Sequence, residues 1–335
     1  MIDIRQHRAG VILGAAAVAL AAAAAVHNVR RARRAERDNP SRGRFVEVDG
    51  VRLHVLERGA GPPVLLIHGN VVTAEDFAVS GVMDRLARTH RVIAIDRPGM
   101  GYSDRPRDRL WTPDAQADLL LHAMERLGVV RPVIVGHSLG AMVATALALR
   151  HPDAVRGLVL AGGYFYPTAR PDVALTLPPA VPVVGDLLRY TVSPLFGAVS
   201  MPALLKGMFN PCPVPRAYRD GHDTDLALRP GQIRAMAEDG TMMVPAAAAM
   251  RNHYGELHMA VAILAGTEDV VVFPAGQSER LHRDIPHATL RLIPGVGHML
   301  HHADPDAVAE AVETVFRQSG ETVTREERPR VAAPM

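Results

Sequence analysis

Residues 132–150, PVIVGHSLGAMVATALALR, decide how the rest of the chain is read. An apolar run (Val133, Ile134, Val135) leads into Gly136-His137-Ser138-Leu139-Gly140, and small apolar residues at helical spacing follow. A buried strand that reverses into a helix within about two residues forces the apex into a strained backbone conformation. The flanking glycines make room for this, so the Ser138 hydroxyl stands exposed above the sheet edge. The free N–H groups of the helix N-terminus lie beneath it and favour bound negative charge. A serine so placed is a candidate nucleophile. The strand before it and the helix after it distinguish it from a glycine-flanked surface turn.

Outward from this stretch the same alternation recurs. Apolar runs ending in glycine or polar turns fall at 64–67, 92–95, 133–135, 158–160, 261–264 and 290–293. Their continuous apolar character fits parallel strands covered on both faces. Helical spacing separates them at 73–88, 113–127, 139–150, 274–285 and 305–317, and Thr112-Pro113-Asp114 reads as a cap with proline at the first helical position. Residues 44–59 alternate apolar and polar around Asp49-Gly50, which predicts an antiparallel hairpin at the start. The fold class is α/β: a doubly wound, mostly parallel eight-stranded sheet. Ligands of such sheets bind at the carboxyl ends of the strands, where Ser138 falls.

From 164 to 257 the alternation breaks. Prolines (Pro167, Pro171, Pro178, Pro179, Pro182, Pro194, Pro202) punctuate short apolar helical pieces with no strand pattern, which predicts a helical cap inserted after the sixth strand. Its bulky apolar residues (Phe165, Leu187, Leu188, Tyr190, Leu195, Phe196, Met201, Leu204, Leu205, Met208 and Phe209) are candidates to line a pocket over Ser138, although most of them are expected to pack the cap itself. The expected organisation is 1–40 hydrophobic anchor and basic linker, 41–163 first part of the core, 164–257 cap, 258–318 second part of the core, and 319–335 disordered tail.

Composition narrows the function classes. The 335 residues, 48% of them hydrophobic, can bury a large core. A single cysteine, Cys212, allows neither an intrachain disulfide nor a cysteine metal cluster. The net charge is +2, but residues 1–40 carry seven arginines against Asp3, Glu36 and Asp38, so the remainder is slightly acidic and no nucleic-acid surface is indicated. Residues 9–26 are uncharged over 18 positions, just enough for a helix to cross a bilayer core. The larger arginine cluster follows this run (Arg30, Arg31, Arg33, Arg34, Arg37), which favours a retained anchor with the remaining chain cytoplasmic. The competing readings are a signal peptide cleaved near Ala21–Ala25, with export, and a soluble alanine helix.

Serine is a poor nucleophile without a base, usually a histidine held by a carboxylate. Glu268-Asp269 lies just past the run 261–264 and His298 just past 290–293, in the chain order Ser, Asp, His. With HGN (68–70), DRPGMGYS (96–103), GHSLG (136–140), GTED (266–269) and GVGH (295–298) in sequence, the chain from Phe45 to Gln318 resembles the α/β-hydrolase superfamily, in its capped esterase-like branch. The resemblance implies that Ser138 attacks a carbonyl, His298 moves the proton and Asp269 fixes the imidazole tautomer. It further implies an oxyanion hole from the backbone N–H groups of Asn70 and Leu139. Glu268 is the neighbouring alternative to Asp269. His68 is read as bracing its loop, His137 as a variable neighbour of the nucleophile, and Asp96 as part of a structural turn. His298, His301, His302 and Asp304 have metal-like spacing, but a catalytic histidine beside a solvated helix start explains them, so neither metal nor cofactor is expected.

The function these residues imply is hydrolysis of a small, lipophilic carboxylic ester or lactone through an acyl-enzyme. The alternatives on the same triad are a cofactor-free haloperoxidase or perhydrolase, a carbon–carbon bond hydrolase and an acyltransferase. A non-catalytic ligand-binding protein of the same fold is the alternative from another class. The HGN loop resembles that of haloalkane dehalogenases, but Val71 stands where they carry proline and Ser138 where they carry aspartate. Oligomeric state is not legible in the sequence.

Overall fold

The computed structural model describes residues 4–320 apart from 171, 172, 174 and 175, so the tail expected from 319 lies outside the described residues beyond Gly320. Eight strands form one sheet: β1 (Arg44–Val48), β2 (Val51–Arg58), β3 (Pro63–Ile67), β4 (Arg91–Ile95), β5 (Val133–His137), β6 (Gly157–Ala161), β7 (Ala260–Gly266) and β8 (Thr289–Ile293). Their order is β1-β2-β4-β3-β5-β6-β7-β8. The first two strands join as a hairpin through Asp49 and Gly50, whose φ values of 49° and 74° suit a two-residue reversal. The pair β2–β4 is also antiparallel, and the remaining neighbours are parallel.

Thirteen helices among the described residues are numbered in chain order. Those preceding the β6–β7 connection are α1 (Ile4–Asp38), α2 (Glu75–Val79), α3 (Val82–Leu86), α4 (Pro113–Arg126) and α5 (Leu139–Arg150). The connection itself carries α6 (Val184–Tyr190), α7 (Ser193–Phe209), α8 (Arg216–Gly221), α9 (Thr224–Ala227) and α10 (Pro230–Met250). The last three are α11 (Ser278–Asp284), α12 (Leu300–Ala303) and α13 (Pro305–Gln318).

The period-2 alternation of each strand divides the core in two. Leu65, Ile67, Ile134, Leu158 and Leu160 pack under α4 and α5. Val64, Leu66, Val133, Val135 and Val159 pack under α3 and α13. Because both faces are covered, the central strands are apolar throughout, and this is what makes them legible as continuous runs. Thr112 caps α4 by accepting from Ala115 N–H at 3.1 Å, with Pro113 in the first turn.

Three expectations need correction. The helix expected over 73–88 is two short helices, broken at Ser80-Gly81, where Gly81 adopts φ 81°. The arginine-rich stretch after residue 26, expected as a basic linker, is helical: α1 runs unbroken through it, as the helix propensity of alanine and arginine favours. Polar contacts dock its second half, through the ion pairs Arg31–Asp225 and Glu36–Arg229. Finally, Met201, Met208 and Phe209 are buried in the β6–β7 connection, but Leu187, Leu195 and Phe196 are exposed rather than packed.

Candidate active site

The turn after β5 places Ser138 at φ 54° and ψ −121°, a region that L-residues avoid and that persists only where the surroundings enforce it. Enforcement comes from both sides. Ser138 N–H donates to Ala161 O at the end of β6 (2.9 Å), and Ala141 N–H donates back to Ser138 O (3.0 Å). The glycines work differently from the expectation that they make room for the serine. A Cβ on Gly136 would lie 2.5 Å from Ala141 Cα, and one on Gly140 would lie 2.1 Å from Ile67 O. They let α5 sit directly against β5 and β3. Gly69 is the residue that leaves space for the nucleophile, since its Cβ would lie 3.0 Å from that of Ser138.

The loops after β5, β7 and β8 bring Ser138, Asp269 and His298 together. His298 Nε2 is 2.9 Å from Ser138 Oγ, and His298 Nδ1 is 2.8 Å from Asp269 Oδ2. Asp269 is buried, and its other oxygen accepts the N–H groups of Val271 and Val272, each at 2.8 Å. A carboxylate held this way can only accept, which puts the proton of neutral His298 on Nδ1 and leaves Nε2 to receive the serine proton. Glu268, the alternative acid, is exposed and turned toward Thr267.

The two expected oxyanion donors adjoin residues at the serine: Leu139 follows it in the chain, and Asn70 follows Gly69, which packs against it. Leu139 opens α5, so its N–H lies among the unpaired donors of the first turn. The side chain of Asn70 is occupied by the N–H of Val71 (3.1 Å) and the carbonyl of Met236 on α10 (3.2 Å). His68 braces this loop: Nδ1 lies 2.8 Å from Gly69 O and Nε2 accepts Arg97 N–H at 2.9 Å. Burial, helped by the Arg97 charge, pushes its pKa down to about 4, so the ring is neutral as these bonds require.

Sequence reasoning missed three features here. First, Arg97 is fully buried and donates to His68 O (3.0 Å), Gly69 O (3.1 Å) and Gln116 (3.0 Å). It pairs with Asp239 of α10 at 2.5 Å, and Arg105 meets the second oxygen of the same carboxylate at 3.0 Å. The inserted helices are thereby tied to the loop carrying Asn70. Second, His137 is no free position. Its Nε2 is 3.0 Å from the carbonyl of His298, and burial, then the neighbouring His301 and His298, depress its pKa so that it stays neutral. Third, the run His298 to Asp304 divides among separate partners. His301 and His302 are buried against Asp76, each at 2.7 Å, instead of starting a solvated helix, and Asp304 caps α13 through Ala307 N–H. Burial raises the pKa of Asp76, but the two imidazoles outweigh it and hold the carboxyl well below its ordinary range. Asp76, His137 and His301 offer ligand atoms within 4.8 Å of one another; the short bonds to Asp76 account for two of these residues without an ion. Asp96 holds its turn through His54 (2.8 Å) and the N–H groups of Ala74 and Tyr102.

A family model described as alpha/beta hydrolase fold matches residues 62–203. An uncharacterized protein of Mycobacterium bovis is 30% identical over 286 residues, spanning 80% of this chain and 79% of that protein. The chain belongs to the α/β-hydrolase family. Within this family it is 29% identical over 299 residues to a 2-hydroxymuconate semialdehyde hydrolase of Pseudomonas putida, across 85% of this chain and 98% of that one. The solved structure of a meta-cleavage product hydrolase from Pseudomonas fluorescens IP01 is similar at 25% identity and TM-score 0.63, over 84% of this α/β hydrolase and 100% of that chain.

Proposed function

We propose that this α/β hydrolase cleaves a lipophilic carboxylic ester or lactone through an acyl-enzyme on Ser138. The observation that carries the reading is the unbroken hydrogen-bonded chain Ser138 Oγ–His298 Nε2 and His298 Nδ1–Asp269 at the carboxyl ends of the strands. As Ser138 Oγ attacks the ester carbonyl, His298 takes its proton and Asp269 stabilises the resulting imidazolium. The oxyanion forms between the N–H groups of Asn70 and Leu139, each typically worth about 2.7–4 kcal/mol. His298 then protonates the leaving alcohol, and a water activated by the same imidazole releases the acid. Residues 164–257 serve as the cap over this site, and residues 9–26 anchor the chain in a membrane with the catalytic part on the cytoplasmic side.

Carbon–carbon bond hydrolysis is the second reading, favoured by the named activity of the relative from P. putida. The buried guanidiniums of Arg97 and Arg105 bear on the choice: both are held by Asp239, which leaves neither as a ready counter-charge for an anionic substrate. A fluorophosphonate probe is expected to label the wild type and not Ser138→Ala, and hydrolysis of short p-nitrophenyl esters is expected to be lost in that variant. Turnover of 2-hydroxymuconate semialdehyde well above that of any ester would reverse the order of the two readings. Absence of labelling would reject both.

A further inference from the structure

We propose that α6 and the first half of α7 form a second membrane-seated element, lying in the near leaflet of the bilayer that α1 crosses. This rests on reading α1 as a retained anchor. The occupant of the surface is lipid, with anionic headgroups at its rim.

The first observation is the surface itself. Val183, Val184, Leu187, Leu195, Phe196 and Val199 are exposed on one bent pair of helices, Phe196 by 61% and Val199 by 83%. The two helices meet at 65°, and from Tyr190 to Leu205 there is no charged residue. The charges of α6 are paired: Asp186 meets Arg107 at 2.8 Å and also Arg189, which is buried. Contiguous apolar surface of this kind on a folded chain marks an interaction site.

The second observation fixes its depth. Asn28 is buried and its amide donates to the carbonyls of Tyr190 and Thr191, both at 2.9 Å, so the end of α6 is clamped to α1. On the same face of α1, Ala21, Ala24 and Ala25 are half-buried, whereas residues 10–20 are exposed on every side. The contact therefore extends about 10 Å N-terminal of Asn28, at 1.5 Å rise per residue. All but its last two residues lie inside the uncharged run 9–26. A bilayer that takes up this run cannot stop short of α6, because α6 packs beside it. Tyr190 at the clamp and the exposed Arg30, Arg33, Arg34 and Arg37 just beyond it fall where headgroups lie. There tyrosine is enriched, and arginine is drawn to an anionic surface.

The test uses the full chain with Cys212→Ser and single cysteines labelled with nitrobenzoxadiazole, reconstituted in vesicles of equimolar phosphatidylcholine and phosphatidylglycerol. Phe196→Cys and Val199→Cys probe the face. Leu20→Cys probes the span, and Val130→Cys, exposed just before β5 at the opposite end of the sheet, reports on water. The expected result is blue-shifted emission at 196 and 199 that lipid-borne nitroxide quenches as it does at 20, with 130 unaffected. Quenching at 20 but not at 196 and 199 overturns the proposal and leaves the anchor standing. Failure of the protein to float with vesicles overturns both. Blue-shifted emission at 196 that lipid nitroxide does not reach, with the unlabelled Phe196→Cys variant forming disulfides between copies under an added oxidant, overturns it in favour of a second copy of the chain. Melting temperatures equal to that of the parent verify that each labelled variant is folded.

Discussion

Replacing Asp239 by asparagine tests whether the inserted helices control the catalytic loop. The carboxylate is wholly buried between Arg97 at 2.5 Å and Arg105 at 3.0 Å. Asparagine keeps the shape but removes the charge and turns an amide N–H₂ toward one guanidinium. Arg105 retains Glu238 at 2.7 Å and Pro98 O at 2.9 Å, whereas Arg97 is left with neutral partners only. Breaking a buried ion pair from one side costs about 3–5 kcal/mol, and urea unfolding should register a loss of that size. Displacing Arg97 also frees the carbonyls of His68 and Gly69, which it holds at 3.0 and 3.1 Å, and with them the backbone of Asn70. If the Asn70 N–H is thereby lost to the oxyanion, kcat falls by roughly 10²–10³. KM moves little, because that contact strengthens only in the transition state. The assay is steady-state hydrolysis of p-nitrophenyl butyrate beside the urea titration. The double variant Arg97→Met/Asp239→Leu sharpens it: removing both charges recovers part of the stability, but kcat stays low because the two carbonyls still lack their donor. A stability loss below about 1 kcal/mol, or the full loss with kcat unchanged, would refute the reasoning.

Two further outcomes follow from the same geometry. Ser138 holds φ 54°, so Ser138→Gly should unfold at higher urea than Ser138→Ala, by about 1 kcal/mol, with both variants expected to lack activity; equal midpoints would mean the turn stores no strain. His68 titrates at about 4 in the folded chain, against about 6.5 when unfolded. The unfolded chain therefore binds a proton that the folded chain refuses, and stability falls as pH drops from 6.5 toward 4, by up to about 3 kcal/mol. Comparing urea midpoints at pH 7 and pH 4.5, His68→Gln should lose less stability on acidification than the wild type; parallel losses would show that His68 titrates normally.

What the sequence conveyed well was whatever local pattern determines. The central strands read as apolar runs because both their faces are covered, and the Asp49-Gly50 hairpin follows from two positive φ angles. The order of Ser138, Asp269 and His298 was visible because each follows a strand that ends in a recognisable turn. Contacts between distant segments were not visible. Arg97 and Asp239 are 142 positions apart, and nothing local to DRPG tells that its arginine is buried against a helix of the insertion. Asp76 likewise meets His301 across 225 positions, so the histidine run looked like a solvated helix start. Apolar content was legible in 164–257, but not its direction: Phe209 and Phe196 read alike, although one is buried and the other exposed.

The bond from His137 to the carbonyl of His298 makes a closed circuit. His137 is covalently joined to Ser138, its ring grips the backbone of His298, and the His298 ring returns to Ser138 Oγ. Of these three links only the last involves the serine hydroxyl. Removing that oxygen opens the circuit at one point while the imidazole stays tethered through the neighbouring residue. On the proposed mechanism, Ser138→Ala is therefore the form in which to trap an intact substrate for crystallography, with the imidazole still in register.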